Sequence, residues 1–166
     1  MKPPRLTRSG LLLAVLSSVV ALEAQTTAND YNTLGGNDRR KGNIDAAIAA
    51  YTKAIELKPD YAVAYSNRGT ARRAKGDLPG AIADFTMAIQ LKPDFAGAYN
   101  NRGGAKLAGE NFDGAIADFT KAIELDPKHE TGVKNLETAR RLKENFERAE
   151  DQRRQRQIAE AARSGK

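Results

Sequence analysis

Two arginine–aspartate couples stand sixteen residues apart in this chain, Arg68 with Asp84 and Arg102 with Asp118. The chemistry they suit is an ion pair between two helices. A partly buried pair loses about 3–5 kcal/mol when one partner is removed and the other is stranded; an exposed pair contributes only about 0–1 kcal/mol. At the matching positions earlier in the chain stand Leu34 and Ala50, so the two columns change from apolar to charged together. Catalytic chemistry has little to work with. His129 is the one histidine and there is no cysteine, so no second ligand or base completes a metal or nucleophile site. Gly35–Gly36 and Gly103–Gly104 lack the spacing and strand context of a phosphate-binding loop. Neither an enzyme nor a cofactor is expected.

The elements that position these residues repeat every 34 residues. Pro59, Pro93 and Pro127 keep that spacing, as do Tyr31, Tyr65 and Tyr99, and Gly35, Gly69 and Gly103. Ala47, Ala81 and Ala115 follow, with the aromatic series Tyr51, Phe85 and Phe119. A fixed period of this length marks a solenoid, in which each unit buries its apolar face against its neighbours. Each unit reads as two helices. In the second unit the first helix runs roughly from Tyr61 to Lys75, with Asp60 as its N-cap and Gly76 as its stop. Asp77 then caps the second helix, with Pro79 in its first turn, and Asn43 and Asn111 take that role in the other units. In the third unit Gly109 precedes Glu110, which shifts the stop. Ile48, Tyr51 and Ile55 share a helical face. Glycine in a helix interior costs about 1 kcal/mol against alanine, so a glycine column implies a contact with room only for hydrogen.

These columns resemble the tetratricopeptide repeat family, whose pattern has a bulky residue, a leucine–glycine pair, then alanine, an aromatic, alanine and a closing proline. Here they are Tyr31, Leu34–Gly35, Ala47, Tyr51, Ala54 and Pro59, repeated over residues 28–127 in units 28–61, 62–95 and 96–129. The resemblance implies an all-α fold, an α-solenoid of three antiparallel helix pairs forming a right-handed superhelix whose first helices line a concave groove. Carried over, the groove residues are Asn29, Asn32, Gly36 and Arg39 in unit one, and Val63, Ser66, Asn67, Thr70 and Arg73 in unit two. Unit three supplies Gly97, Asn100, Asn101, Gly104 and Leu107. Asparagine amides offer donor and acceptor to the backbone of an extended peptide; the same residues could instead only bridge neighbouring helices. Arg39 and Arg73 favour an acidic or neutral segment over a basic one. One subtype of the family clamps acidic chaperone tails. Asn67 matches a clamp position, but Asn32 and Gly97 stand where lysines are needed, Gly36 replaces an asparagine and Asn101 an arginine.

The formal charge of +6 belongs to the two ends. Residues 25–127 hold thirteen bases and thirteen acids, whereas residues 1–24 are net +2 and residues 128–166 net +4. Lys2, Arg5 and Arg8 precede an apolar run from Leu11 to Leu22, the pattern of a secretory signal cleaved after Ala21 or Ala24. The run is shorter than the about 20 residues of a spanning helix, so no stable span is expected after cleavage; the alternative is an uncleaved N-terminal anchor. Residues 130–149 are expected to form a capping helix, through a stripe of Val133, Leu136, Leu142, Phe146 and Ala149. Residues 150–166 read as a charged tail, helical or disordered, whose mixed charge and lack of aromatics argue against nucleic acid. The expectation is an exported, periplasmic interaction module that binds a protein or extended peptide in its groove and can self-associate. The alternative is an envelope-assembly or structural adaptor working through the convex face or the basic tail.

Overall fold

The computed structural model describes residues 27–128 and 130–164, so the expected signal segment and His129 lie outside the described residues. Seven helices follow in order: α1 Ala28–Arg40, α2 Ile44–Leu57, α3 Ala62–Ala74, α4 Leu78–Leu91, α5 Ala96–Ala108, α6 Phe112–Leu125 and α7 Glu130–Ser164. Short connections fold α1 on α2, α3 on α4 and α5 on α6, and the second helix of each unit then packs on the first helix of the next. Successive first helices also touch, while successive second helices do not. That asymmetry sets the curvature: first helices gather on the inner wall and second helices spread outside. The all-α solenoid expected from the period is the observed fold.

The glycine column explains how closely each pair packs. A Cβ at Gly35 would lie 2.7 Å from the Tyr51 ring, one at Gly69 2.9 Å from Phe85, and one at Gly103 2.8 Å from Phe119. Each ring is thereby fully buried, and burying such a side chain stabilises by about 1.5–3 kcal/mol. On the far side each ring meets an alanine of the next first helix: Tyr51 with Ala71, Phe85 with Ala105, Phe119 with Ala139. One aromatic ring per unit therefore closes both the intra-unit contact, against glycine, and the inter-unit contact, against alanine.

The turns depart from expectation at two places. Tyr61, not Asp60, is the N-cap of α3, and no side chain caps it. The Tyr61 ring packs against Ala54, Ile55 and Ala64, and burial of an aromatic outweighs a cap of about 1 kcal/mol. Asn43 makes no capping bond, whereas Asp77 and Asn111 accept from Gly80 N–H and Gly114 N–H, each at 2.9 Å. Gly42 and Gly76 take positive φ in the first two units; in the third that conformation falls on Glu110, at φ 59°, as the displaced glycine foretold.

α7 occupies the place of a fourth first helix. Its packing stripe is Gly132, Leu136, Ala139 and Lys143, with Ala139 fully buried and Lys143 bonded to Asp113; Phe146, though exposed, meets Phe112 in a tilted ring contact at 5.4 Å. Val133, Leu142 and Ala149 of the expected stripe are exposed. The correction follows from the repeat. Positions 132 and 139 continue the columns of Ala64 and Ala98, and of Ala71 and Ala105, which face the preceding unit; 137 continues Gly103, which faces its unit's own second helix. At 137 the glycine has become a glutamate. The opposite edge is also polar. Thr27, Asp30, Leu34 and Asn37 in α1 stand where later units place Tyr61, Ala64, Arg68 and Ala71. Thr27 and Asp30 form a capping box there.

Candidate functional site

The charged couples are the best-defined polar cluster. Arg68 donates to both Asp84 oxygens, Nε–Oδ2 at 3.0 Å and Nη2–Oδ1 at 2.8 Å, and Arg102 grips Asp118 the same way at 2.9 and 2.7 Å. Asp84 and Asp118 are only 3% and 4% exposed, so these are the buried pairs expected between the helices of one unit. Each carboxylate has a second cation, Arg72 Nη1 at 3.0 Å from Asp84 and Lys106 Nζ at 2.8 Å from Asp118. Each arginine also reaches outside its unit: Arg68 Nη1 donates to Thr52 Oγ1 and Arg102 Nη1 to Thr86 Oγ1, both at 3.1 Å. Tyr65 and Tyr99 lie under the two guanidinium groups at 5.5 Å. The Asp118 carboxylate raises the Arg102 pKa above its ordinary value against the opposing effect of burial. With every group satisfied, this lattice is scaffold.

The inner wall is where a ligand would meet polar side chains that retain unused valence. Asn67 Nδ2 donates to Asn32 Oδ1 at 2.9 Å, linking α3 to α1, and Asn135 Nδ2 donates to Asn100 Oδ1 at 3.0 Å, linking α7 to α5. The bridging role open to asparagine is thus real, yet each amide in such a pair keeps a further donor or acceptor. Asn101, at the Asn67 register, is half-buried. Asn29, Val63 and Arg39 are exposed, and Thr70 Oγ1 donates back to the Ser66 carbonyl at 3.0 Å. Ser66 itself is buried, so it offers a ligand nothing direct, and Leu107 packs against Ala115, Phe119 and Ala139. Arg73 lies across Gly104 on the neighbouring first helix; a Cβ there would come within 2.6 Å of Nη1.

The wall extends further than the sequence reading took it. The Asn135–Asn100 bond makes α7 its fourth helix and brings Thr131, Lys134, Thr138 and Arg141 to inner register positions. The signal was present in the period, since Asn135 lies 34 residues after Asn101 and Arg141 lies 68 after Arg73. Reading α7 only as a lid hid it. Beside the start of α7, Pro127, Lys128, Glu130, Val133, Lys134 and Glu137 line an open depression.

A curved stack of helix pairs with a polar inner wall defines an α-solenoid scaffold for protein–protein interaction. Comparison with known proteins narrows this. The family described as TPR repeat matches residues 37–72 and 69–108, and that described as Tetratricopeptide repeat matches residues 96–129. The chain belongs to the tetratricopeptide repeat family. No curated protein matches it. Among solved structures it is similar to the first TPR domain of human RPAP3, with 25% identity, a TM-score of 0.72, and 74% of this chain and 96% of that chain covered. It is also similar to the first TPR of Spaghetti (RPAP3) bound to an HSP90 peptide, at 26% identity and TM-score 0.68, covering 70% and 92%. The TPR2B domain of yeast Sti1 in complex with pHsp70 matches at 27% identity and TM-score 0.66, covering 69% and 97%.

Proposed function

We propose that this chain is an exported interaction module that binds an extended segment of a partner protein along its inner wall. The observation that carries the reading is the continuous wall of four first helices, tied by the Asn67–Asn32 and Asn135–Asn100 bonds and still holding free amide valence. Amide pairs of this kind suit a peptide backbone, which needs one donor and one acceptor per residue. Similarity to TPR domains solved with HSP90 and Hsp70 peptides supports a peptide-class ligand. The segment is not a chaperone tail, because Asn32 and Gly97 replace the lysines that such a clamp requires. Export rests on Lys2, Arg5 and Arg8 followed by the apolar run Leu11–Leu22. Mass spectrometry of protein recovered from the periplasm would then find a chain starting at Leu22 or Gln25; an intact start at Met1 rejects cleavage.

The binding reading is tested by co-purification with three forms of the protein. Full-length chain and chain lacking residues 150–166 should retain the same partner, while Asn32→Ala with Asn67→Ala and Arg73→Ala should lose it. A second reading has its own observation: beyond residue 146 α7 continues to Ser164 with every described residue exposed. If the partner is lost only with that extension, the chain is an adaptor working through α7 and the groove reading fails.

A further inference from the structure

Adjacent arginines in α3 have opposite fates. Arg72 is committed inside the unit, with Asp84 at 3.0 Å and Asp77 at 3.8 Å. Arg73, one residue on, sits on the inner wall over Gly104, and among the described residues no carboxylate lies within ion-pair distance of it. Arg39 and Arg141 occupy the same register position in α1 and α7, both exposed, and are likewise unpaired there, as is Lys134. At the inner positions Asn29, Asn32, Thr33, Gly36 and Arg39, and at their equivalents at 34-residue steps through all four helices, there is no acidic and no aromatic residue. The repeat body as a whole is electrically balanced, with thirteen acids and thirteen bases over residues 25–127. Its acids have been drawn to the helix pairs and turns, leaving one column of the wall positive.

We infer that the inner wall takes an acidic extended peptide segment whose carboxylates fall in register with Arg39, Arg73 and Arg141. The inference rests on the groove reading above and adds the ligand's chemistry and spacing. Packed helices lie about 8–10 Å apart and an extended chain advances about 3.3 Å per residue, so one step along the wall spans about three ligand residues. At the third step the column holds Leu107 in place of arginine. The matching ligand is therefore about ten residues long, with acids opposite the first, second and fourth helices and an apolar side chain opposite the third. A polynucleotide would supply the charge too, but its bases would find no aromatic platform on this wall. This column is separate from the clamp positions Asn32, Gly36, Asn67, Gly97 and Asn101.

The test is fluorescence anisotropy of full-length protein with a labelled peptide carrying glutamates and one leucine at that spacing, in both chain directions. A version with glutamines for the glutamates and a single-stranded oligonucleotide of equal charge are the controls. The acidic peptide should bind at least about tenfold more tightly than the glutamine version, the equivalent of about 1.4 kcal/mol. Arg39→Ala, Arg73→Ala and Arg141→Ala together should remove that preference, and changing all three to glutamate should reverse it toward a lysine peptide, with helical content unchanged by circular dichroism. Equal binding of the glutamate and glutamine peptides overturns the charge register while leaving a groove that binds peptide. Tighter binding of the oligonucleotide overturns the peptide class. No peptide bound by a protein that still captures its cellular partner through the wall residues also overturns the inference, and loss of wall dependence altogether instead removes the reading beneath it.

Discussion

Unit one closes with Leu34 beside Ala50, where units two and three set an arginine against a nearly buried aspartate. The reason for the difference lies one unit upstream. Arg68 and Arg102 need a third partner, and they find it in Thr52 and Thr86 on the preceding second helix. Among the described residues no second helix precedes α1, so a guanidinium there would lack that acceptor, and Leu34 is about half-exposed instead. The lattice reverts at the far end too: Thr120 stands where Thr52 and Thr86 do, and all three bond back to an isoleucine carbonyl one turn earlier, but Leu136 follows Thr120 at the arginine register and brings no donor to it. The junctions between units one and two and between units two and three are therefore joined by an arginine–threonine bond as well as by packing, whereas α7 joins unit three by packing and the Lys143–Asp113 pair.

Mutations can break this contrast or sharpen it. The largest effect is expected from Asp118→Ala, which strands Arg102 and Lys106 and should cost about 3–5 kcal/mol in chemical denaturation. Coupling near zero between Arg102→Ala and Asp118→Ala in a double-mutant cycle would reject the pair. Ala50→Asp, placing the same carboxylate in unit one, should be similarly harmful alone and be partly rescued by Leu34→Arg. Gly35→Ala and Gly103→Ala come next, at about 1–3 kcal/mol each by overpacking against Tyr51 and Phe119. Because the glycine column is common to all units, the two should cost alike; a wide gap between them would mean the units differ beyond the charged column. Thr86→Val should cost about 1 kcal/mol for the lost bond to Arg102, while Thr120→Val, with no arginine opposite, stays within about 0.5 kcal/mol.

The smallest effect belongs to the α1 edge. The Thr27 backbone N–H and then its hydroxyl hold the Asp30 pKa below the ordinary carboxylate value. A group depressed in the folded state gives its stabilisation in full above its unfolded pKa and loses it as pH falls through the folded one. Protection of the first-turn amides of α1, taken relative to their intrinsic exchange rates, should therefore hold at neutral pH and fall only in acid, and Asp30→Asn should flatten that dependence.

Most of this architecture was legible because its columns are made by direct contact. The glycine that must face a ring, the alanine that must let a helix approach and the aspartate that must answer an arginine each leave a residue-type trace every 34 positions. What was not legible depends on which of two local forces prevails. Asp60 is a good capping residue placed one position early, and the burial of Tyr61 moved the helix start past it. The stripe on α7 was misjudged because exposed Val133 and Leu142 are as apolar as the residues that pack; the repeat register, rather than hydrophobicity, separates them. The same register would have assigned Lys134, Asn135 and Arg141 to the wall.

Glu137 gives that register a consequence for size. A fourth second helix of the same kind would need to drive its aromatic ring onto position 137, where the other units provide a hydrogen atom and this one a carboxylate-bearing side chain. Substituting one residue type at one column acts as a stop signal for growth of the superhelix. Among the described residues the inner wall therefore runs over four helices, and on the proposed groove reading these set the longest stretch of a partner that it can span.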